Sequence, residues 1–193
     1  MRTLKLCLCF FILFILTACS DGELKNLTSF IDSYNHFADN KLDIEDFFFI
    51  DGSEDTLRAF ISGNECQVIL SLKEDNNSKI ESIKLTLPKN DVTQPKKEEC
   101  DFFCKALTNS LMAYCSYDEK SAGAVIDAFN LRIPYTLHKQ GELTLKRDNF
   151  YFVYYSNEIA CDVIIYNTYL HTVKTTEKPV SKPYYGEDFI EKD

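Results

Sequence analysis

Residues 56–73 read TLRAFIS, GNE and CQVILSLK, and this stretch decides the fold. Two runs rich in aliphatic and β-branched residues flank a short turn that contains Gly63, which is typical of a β-hairpin. A third strand-like run follows at residues 79–87, where Ile83 and Leu85 alternate with polar residues. The sequence therefore predicts three consecutive antiparallel strands that share one buried face.

A helix is predicted on the amino-terminal side of this hairpin. Apolar residues recur at helical spacing from residue 24 to 38, with Asp21 as the expected N-cap and a break at Asn40. A short strand is expected at residues 47–50. On the other side, the polar, proline-bearing residues 88–97 form the expected connector between two halves of the chain.

The second half repeats this alternation of helix and strands. A long helix is predicted from about residue 98 to residue 117, and a second helix from Ser121, its expected cap, to Phe129. Four strand-like runs follow. They cover residues 135–138, 141–147, 150–156 and 160–169.

The two halves share a sequence similarity. Residues 60–70 (FISGNECQVIL) resemble residues 154–165 (YYSNEIACDVII), which suggests a duplicated α-β-β-β unit over residues 20–88 and 98–171. Chance similarity between two aliphatic hairpins is the alternative. In either case the predicted class is α+β, a single domain over residues 19–171 with one antiparallel sheet and helices packed on one face.

The amino-terminal segment has the pattern of an export signal. Arg2 and Lys5 precede an apolar run at residues 6–16 that is shorter than the ~20 residues of a membrane-spanning helix. The run closes in LTAC, residues 16–19, and the segment resembles the signal peptide and lipobox of a bacterial lipoprotein precursor. An ordinary secretory signal and a short anchor helix are the alternatives.

The resemblance implies an address. Residues 1–18 are removed, and Cys19 carries a diacylglycerol and, in most Gram-negative species, an N-acyl chain such as palmitate. Two or three acyl chains give stable membrane attachment. Ser20 follows the cysteine, where an Asp resembles an inner-membrane retention signal, so the expected location is the outer membrane, facing the periplasm. In a Gram-positive host it is the outer face of the single membrane.

Composition favours a protein partner. The chain has 30 acidic and 21 basic residues, a formal net charge of −9, and no basic stripe with interleaved aromatic residues. This balance excludes nucleic acid and anionic lipid headgroups as ligands and favours a partner protein with a basic surface.

Five cysteines remain in the predicted mature domain after Cys19 is lipidated. Those at positions 100, 104 and 115 share one stripe of the predicted long helix and are four or more residues apart, too far for a disulfide within a regular helix. Each is expected to seek a partner on a strand, and buried free thiols or a metal or redox site are the alternatives. The candidate disulfide cysteines are Cys66, Cys100, Cys104, Cys115 and Cys161.

Two groups of residues are candidates for binding a partner. An acidic cluster surrounds the first predicted strand; it is interpreted as a solvated face, as a docking site for a basic protein surface or, lacking the order of an EF-hand loop, as a poor metal site. On the aromatic strand 150–156, Tyr151 and Tyr155 share a face that either is covered by a helix or anchors a partner. The acidic candidates are Asp43, Glu45, Asp46, Asp51, Glu54 and Asp55.

Catalytic patterns are absent from the sequence. There is no H-E-x-x-H, no G-x-S-x-G and no glycine-rich phosphate loop, so a non-catalytic protein with no cofactor or metal is expected. By analogy of address and size, the first hypothesis is an immunity-type inhibitor of a toxic envelope-targeting effector. A structural or assembly factor of the envelope is the alternative, and a cysteine-dependent enzyme is third.

Residues 172–193 are predicted to be a mobile tail with Tyr184, Tyr185 and Phe189 as contact points.

Overall fold

The structure is a computed structural model that describes residues 25–61, 66–73, 76–89 and 96–168. The predicted signal peptide, the candidate lipidation site Cys19 and the predicted tail, residues 172–193, lie outside the described residues. None of the helices in the described ranges combines the length and the apolar character that a bilayer crossing requires.

Helices and strands alternate in two groups along the described chain. A 3₁₀ turn (Ile44–Asp46) precedes the first strand. In chain order the elements are α1 (Leu27–Phe37), β1 (Phe48–Phe49), β2 (Thr56–Ile61), β3 (Cys66–Lys73), β4 (Asn76–Pro88), α2 (Lys97–Cys115), α3 (Glu119–Ala128), α4 (Pro134–His138), β5 (Gly141–Arg147), β6 (Phe150–Ser156) and β7 (Ala160–Asn167).

All seven strands belong to one antiparallel sheet with the order β1-β2-β3-β4-β7-β6-β5. Strands β4 and β7 pair at the centre, where Leu85 lies opposite Val163 and Leu87 lies opposite Cys161. The predicted α+β class with an antiparallel sheet is therefore confirmed.

The helices pack against one face of this sheet. The Tyr114 hydroxyl on α2 donates to the carbonyl oxygens of Ile80 and Glu81 at 3.2 and 2.9 Å. The ring of Phe129, just after α3, lies 6.1 Å from that of Tyr154 on β6. Between the layers the core is fully enclosed. Its largest side chains include Phe30, Tyr34, Phe103, Phe129, Phe152, Leu70, Ile83, Leu85, Leu107 and Leu111.

The order of the strands shows how the two halves meet. In the described residues the first half contributes one helix and three long strands, and the second half contributes three helices and three long strands. The last strands of the two halves, β4 and β7, pair with each other. The similar sequence segments, however, do not fall on equivalent strands of this arrangement. Cys66 lies on the second long strand of its half and Cys161 on the third, so the duplicated unit stays a prediction.

The helix caps differ from those expected from the sequence. Helix α1 begins at Leu27, because the side-chain oxygen of Asn26 accepts a hydrogen bond from the Ser29 amide at 2.7 Å. Helix α3 is capped by Asp118, whose carboxylate accepts from the Ser121 amide at 2.7 Å. Ser121, the expected cap, is therefore inside the helix.

Residues 135–138, predicted as a strand, are helical. Asn130 adopts a positive φ of 53° and turns the chain after α3. The Thr136 amide then donates to the Ile133 carbonyl at 2.9 Å, and Pro134 occupies the first helical position, which its fixed φ favours. Local turn hydrogen bonds thus outweigh the β propensity of this short segment.

Candidate functional site

The sheet has a second face that no described helix covers. On β6, Phe152 and Tyr154 point into the core and are buried, whereas Tyr151 and Tyr155 are 40% and 41% exposed. Val153 lies between them and is half-buried. The sequence left open whether a helix covers this face of the aromatic strand. In the described residues no helix covers it, and the two tyrosines are exposed.

The strand register arranges the outward side chains of this open face in rows that cross the sheet. In the central row Arg58 pairs with Ile69, which pairs with Lys84. The row continues from Lys84 to Ile164 and then to Val153. Neighbouring strands are about 4.8 Å apart, so apolar and cationic side chains alternate at this spacing along the row.

Arg58 lies over two neighbouring aromatic rings at the β1–β2 end of the open face. Its guanidinium carbon lies 5.1 Å from the centre of the Phe48 ring and 5.5 Å from that of Phe60. The Nε atom is enclosed and has no hydrogen-bond partner among the described residues. Because a guanidinium carries five donors, the terminal nitrogens remain the groups through which this side chain can bind an acceptor.

The remaining charges on the open face are of both signs. Lys84 makes no ion pair with another described residue, and the Lys146 ammonium lies 5.9 Å from the centre of the Tyr151 ring. The strand register places two carboxylates on the same face. Asp162 accepts a hydrogen bond from the Thr86 hydroxyl at 2.6 Å, and Glu142 lies on the edge strand β5.

The acidic cluster lies at the opposite edge of the sheet, around β1. All six of its residues are exposed, and some stabilise the local chain. Asp43 accepts from the Glu45 amide, and Asp46 accepts from the Asp43 amide. Hydrogen bonds from the hydroxyls of Ser53 and Thr56 lower the pKa of Asp55. The carboxylates of Glu45, Asp51 and Glu54 accept no such hydrogen bond from another described residue.

The structure does not bring the acidic cluster together with Tyr151 and Tyr155. The cluster borders β1, whereas the two tyrosines lie on β6, five strands away in the sheet order. Five strand spacings correspond to roughly 24 Å. The two groups predicted to bind a partner are therefore separate surfaces, and no set of three or more His, Cys, Asp or Glu residues in the described ranges is arranged to hold a metal ion.

The five candidate disulfide cysteines are all buried free thiols. Burial raises the pKa of Cys66 and Cys104 to about 12 and that of Cys100 to about 11. Burial also raises the pKa of Cys115 and Cys161. Thiols with such pKa values are protonated at neutral pH, so they are poor nucleophiles and poor metal ligands. The disulfide pairing stays a prediction.

A cleft of about 500 Å³ opens between α1 and the end of α2. Its lining includes Lys25, Asp32, His36, Met112 and Tyr117. Its size is within the range of small-molecule sites. Among the described residues, no hydrogen bond joins two polar side chains of this lining.

Sequence reasoning singled out the aromatic residues of the open face but missed Arg58, Lys84 and Lys146. The strand parity contained the signal, because Arg58 and Lys84 each occupy an outward position between buried neighbours and Lys146 is an exposed residue on the alternating strand β5. The composition of the chain gave no indication of these cations, because the chain as a whole is acidic. Comparison of the chain with protein-family models, with curated proteins and with solved structures finds no match.

Proposed function

We propose that the chain is a lipid-anchored, periplasm-facing, non-catalytic protein-binding lipoprotein, and most concretely an immunity-type inhibitor of a toxic envelope-targeting effector. The observation that carries this proposal is the open face of the sheet. A surface with exposed tyrosines and an arginine packed on aromatic rings has the composition of protein–protein contact sites. At such sites Tyr and Arg are enriched among the residues that contribute most of the binding energy.

The chemistry of the other groups supports binding over catalysis. The thiols are enclosed and protonated, which does not favour a cysteine-dependent reaction. The exposed acidic cluster near β1 suits the steering of a partner whose rim is basic, because long-range attraction raises the association rate. In this proposal the acidic edge guides the encounter and the open face forms the contact.

Replacing the two exposed tyrosines tests the contact surface. The full chain carrying Tyr151→Ala and Tyr155→Ala should fail to retain a stoichiometric partner from envelope extract at low salt, whereas the unaltered chain retains it. Phe37→Ala is the matched control, because Phe37 is 41% exposed but lies on the helical side of the molecule. Equal retention by all three proteins, or no partner for the unaltered chain, would contradict the proposal.

The address and the immunity role have separate tests. Cys19→Ser should release the protein from the membrane fraction and abolish incorporation of labelled palmitate. A strain that lacks the gene should be killed in co-culture with its parent and rescued by the unaltered gene, but not by the Tyr151→Ala, Tyr155→Ala variant. Membrane sedimentation of Cys19→Ser, or full survival of the deletion strain, argues against the corresponding part of the proposal.

A further inference from the structure

The open face has a charge opposite to that of the whole protein. The chain has a formal net charge of −9, yet the central row of this face contains Arg58 and Lys84. Neither makes an ion pair with another described residue. The cations named on this face, Arg58, Lys84 and Lys146, outnumber its two carboxylates, Asp162 and Glu142, so the face has a small excess of positive charge on an acidic protein.

The geometry points to the chemistry of the occupant. Resting on the proposed binding function, we infer that the open face takes an acidic protein segment whose apolar side chains flank its carboxylates, with Arg58 binding one carboxylate and Lys84 a second. The apolar contacts are supplied by Ile69 and Ile164, which flank Lys84 in the central row.

Arg58 is prepared for this role by its surroundings. The rings of Phe48 and Phe60, whose centres are 6.0 Å apart, restrict the guanidinium and shield its inner edge, where Nε is enclosed. A restricted guanidinium loses less conformational entropy when it binds, and its planar fork matches both oxygens of a carboxylate. The aromatic rings also supply apolar area next to the bound charge.

The spacing of the cations sets the length of the segment. Arg58 and Lys84 are two strands apart, about 10 Å, and Arg58 and Lys146 are five strands apart, roughly 24 Å. A segment that spans the outer pair is a helix of about 16 residues or an extended strand of about seven residues. A segment with a basic surface would instead place like charges against Arg58 and Lys84, so such a surface belongs at the acidic edge.

Two peptides that differ only in charge test the inference with the full chain in non-ionic detergent. The first is an 18-residue amphipathic helix with one tryptophan, a leucine stripe and flanking glutamates, and the second has lysine at each glutamate position. The protein contains no tryptophan, so the fluorescence of the peptide reports binding directly. We expect the acidic peptide to bind at least tenfold more tightly than the basic peptide at low salt, with the difference shrinking as salt is added.

Substitutions locate the binding surface. Arg58→Gln and Lys84→Gln should each weaken binding of the acidic peptide about threefold to tenfold. Arg132→Gln should have no effect, because Arg132 pairs with Asp127 on the helical side. Lys84→Gln keeps the inference testable even if Arg58→Gln disturbs folding, since Lys84 does not pack against aromatic rings as Arg58 does.

Two outcomes would overturn the inference. One is a basic peptide that binds as tightly as the acidic peptide. The other is unchanged affinity of the acidic peptide for Lys84→Gln and for a folded Arg58→Gln. Loss of partner retention in Tyr151→Ala, Tyr155→Ala together with either outcome would leave the proposed function standing and remove only the inference about charge. Selective binding of the acidic peptide without any retained partner would support the inference about charge and contradict the proposed function.

Discussion

Replacing Cys66 changes the dependence of stability on alkaline pH. Its thiol is enclosed at the start of β3, and burial raises the pKa to about 12, whereas an accessible thiol titrates near 9. Between these values the unfolded chain releases a proton that the folded chain keeps. The stabilising contribution of the neutral thiol is therefore complete below pH 9 and is lost as the pH rises toward 12.

The size of the effect follows from the two pKa values. Each pH unit between them costs somewhat more than ~1 kcal/mol, so one buried thiol removes on the order of 1 kcal/mol of unfolding free energy between pH 8 and pH 10. Cys66→Ala should abolish this contribution of the thiol to the loss of unfolding free energy at alkaline pH. The substitution also leaves a cavity, but the cost of the cavity is the same at both pH values and cancels in the difference.

Urea unfolding in the presence of a reductant provides the measurement. The unaltered chain should lose on the order of 1 kcal/mol more than Cys66→Ala between pH 8 and pH 10. Val68→Ala is the matched control, because Val68 is a fully buried neighbour on β3 that does not titrate, and it should keep the full loss. An identical pH loss in the unaltered chain and Cys66→Ala would refute the reasoning.

The same experiment without reductant tests the predicted disulfides. A thiol that is oxidised to a disulfide no longer titrates, so pairing of Cys66 would remove its alkaline contribution from the unaltered chain. A difference that persists unchanged under oxidising conditions would instead identify Cys66 as a thiol that stays free when oxidation is possible.

Other substitutions test the packing of the two layers by chemical denaturation. Tyr114→Phe removes the hydroxyl that bonds to two carbonyls of β4 and should cost about 1–2 kcal/mol; a neutral effect would mean that these bonds do not stabilise the fold. Leu85→Ala opens a cavity at the centre of the sheet and should cost about 2–5 kcal/mol, whereas Lys84→Ala, on the open face, should cost less than about 1 kcal/mol, and similar costs would contradict the assignment of faces. Asn26→Ala removes the cap of α1 and should cost about 1 kcal/mol, with Thr28→Ala, at the exposed second position of the helix, as the control that should change little.

The strands of the sheet were predictable from the sequence because one of their faces is buried. Residues 79–87 alternate as expected, and Ile83, Leu85 and Leu87 all point into the core. The pairing of β4 with β7 was not predictable, since strands so distant in sequence are brought together by packing of the whole domain. Residues 135–138 were assigned wrongly, because the turn hydrogen bonds that make them helical depend on the conformation of Asn130.

The candidate surface was predictable only in part. The alternation of strand β6 identified Tyr151 and Tyr155 as outward-facing, but whether a helix covers them depends on the tertiary structure. Arg58 looked like an ordinary strand residue, because its two aromatic neighbours come from the same strand and from β1. The Phe48 and Phe60 rings meet at Arg58 only because of the register of β1 against β2. A strand of two residues is too short for its register to be predicted from the sequence.

The seventh strand to be synthesised is the one that closes the centre of the sheet. Until residues 160–167 are available, β4 and β6 each present a row of unpaired backbone amides and carbonyls. A nascent chain that emerges amino end first therefore has two templates for self-association, and it loses both in a single late step. A nonsense codon before residue 160 should yield an aggregate instead of a shortened soluble domain, which makes protection from premature contact a requirement of this topology during biogenesis.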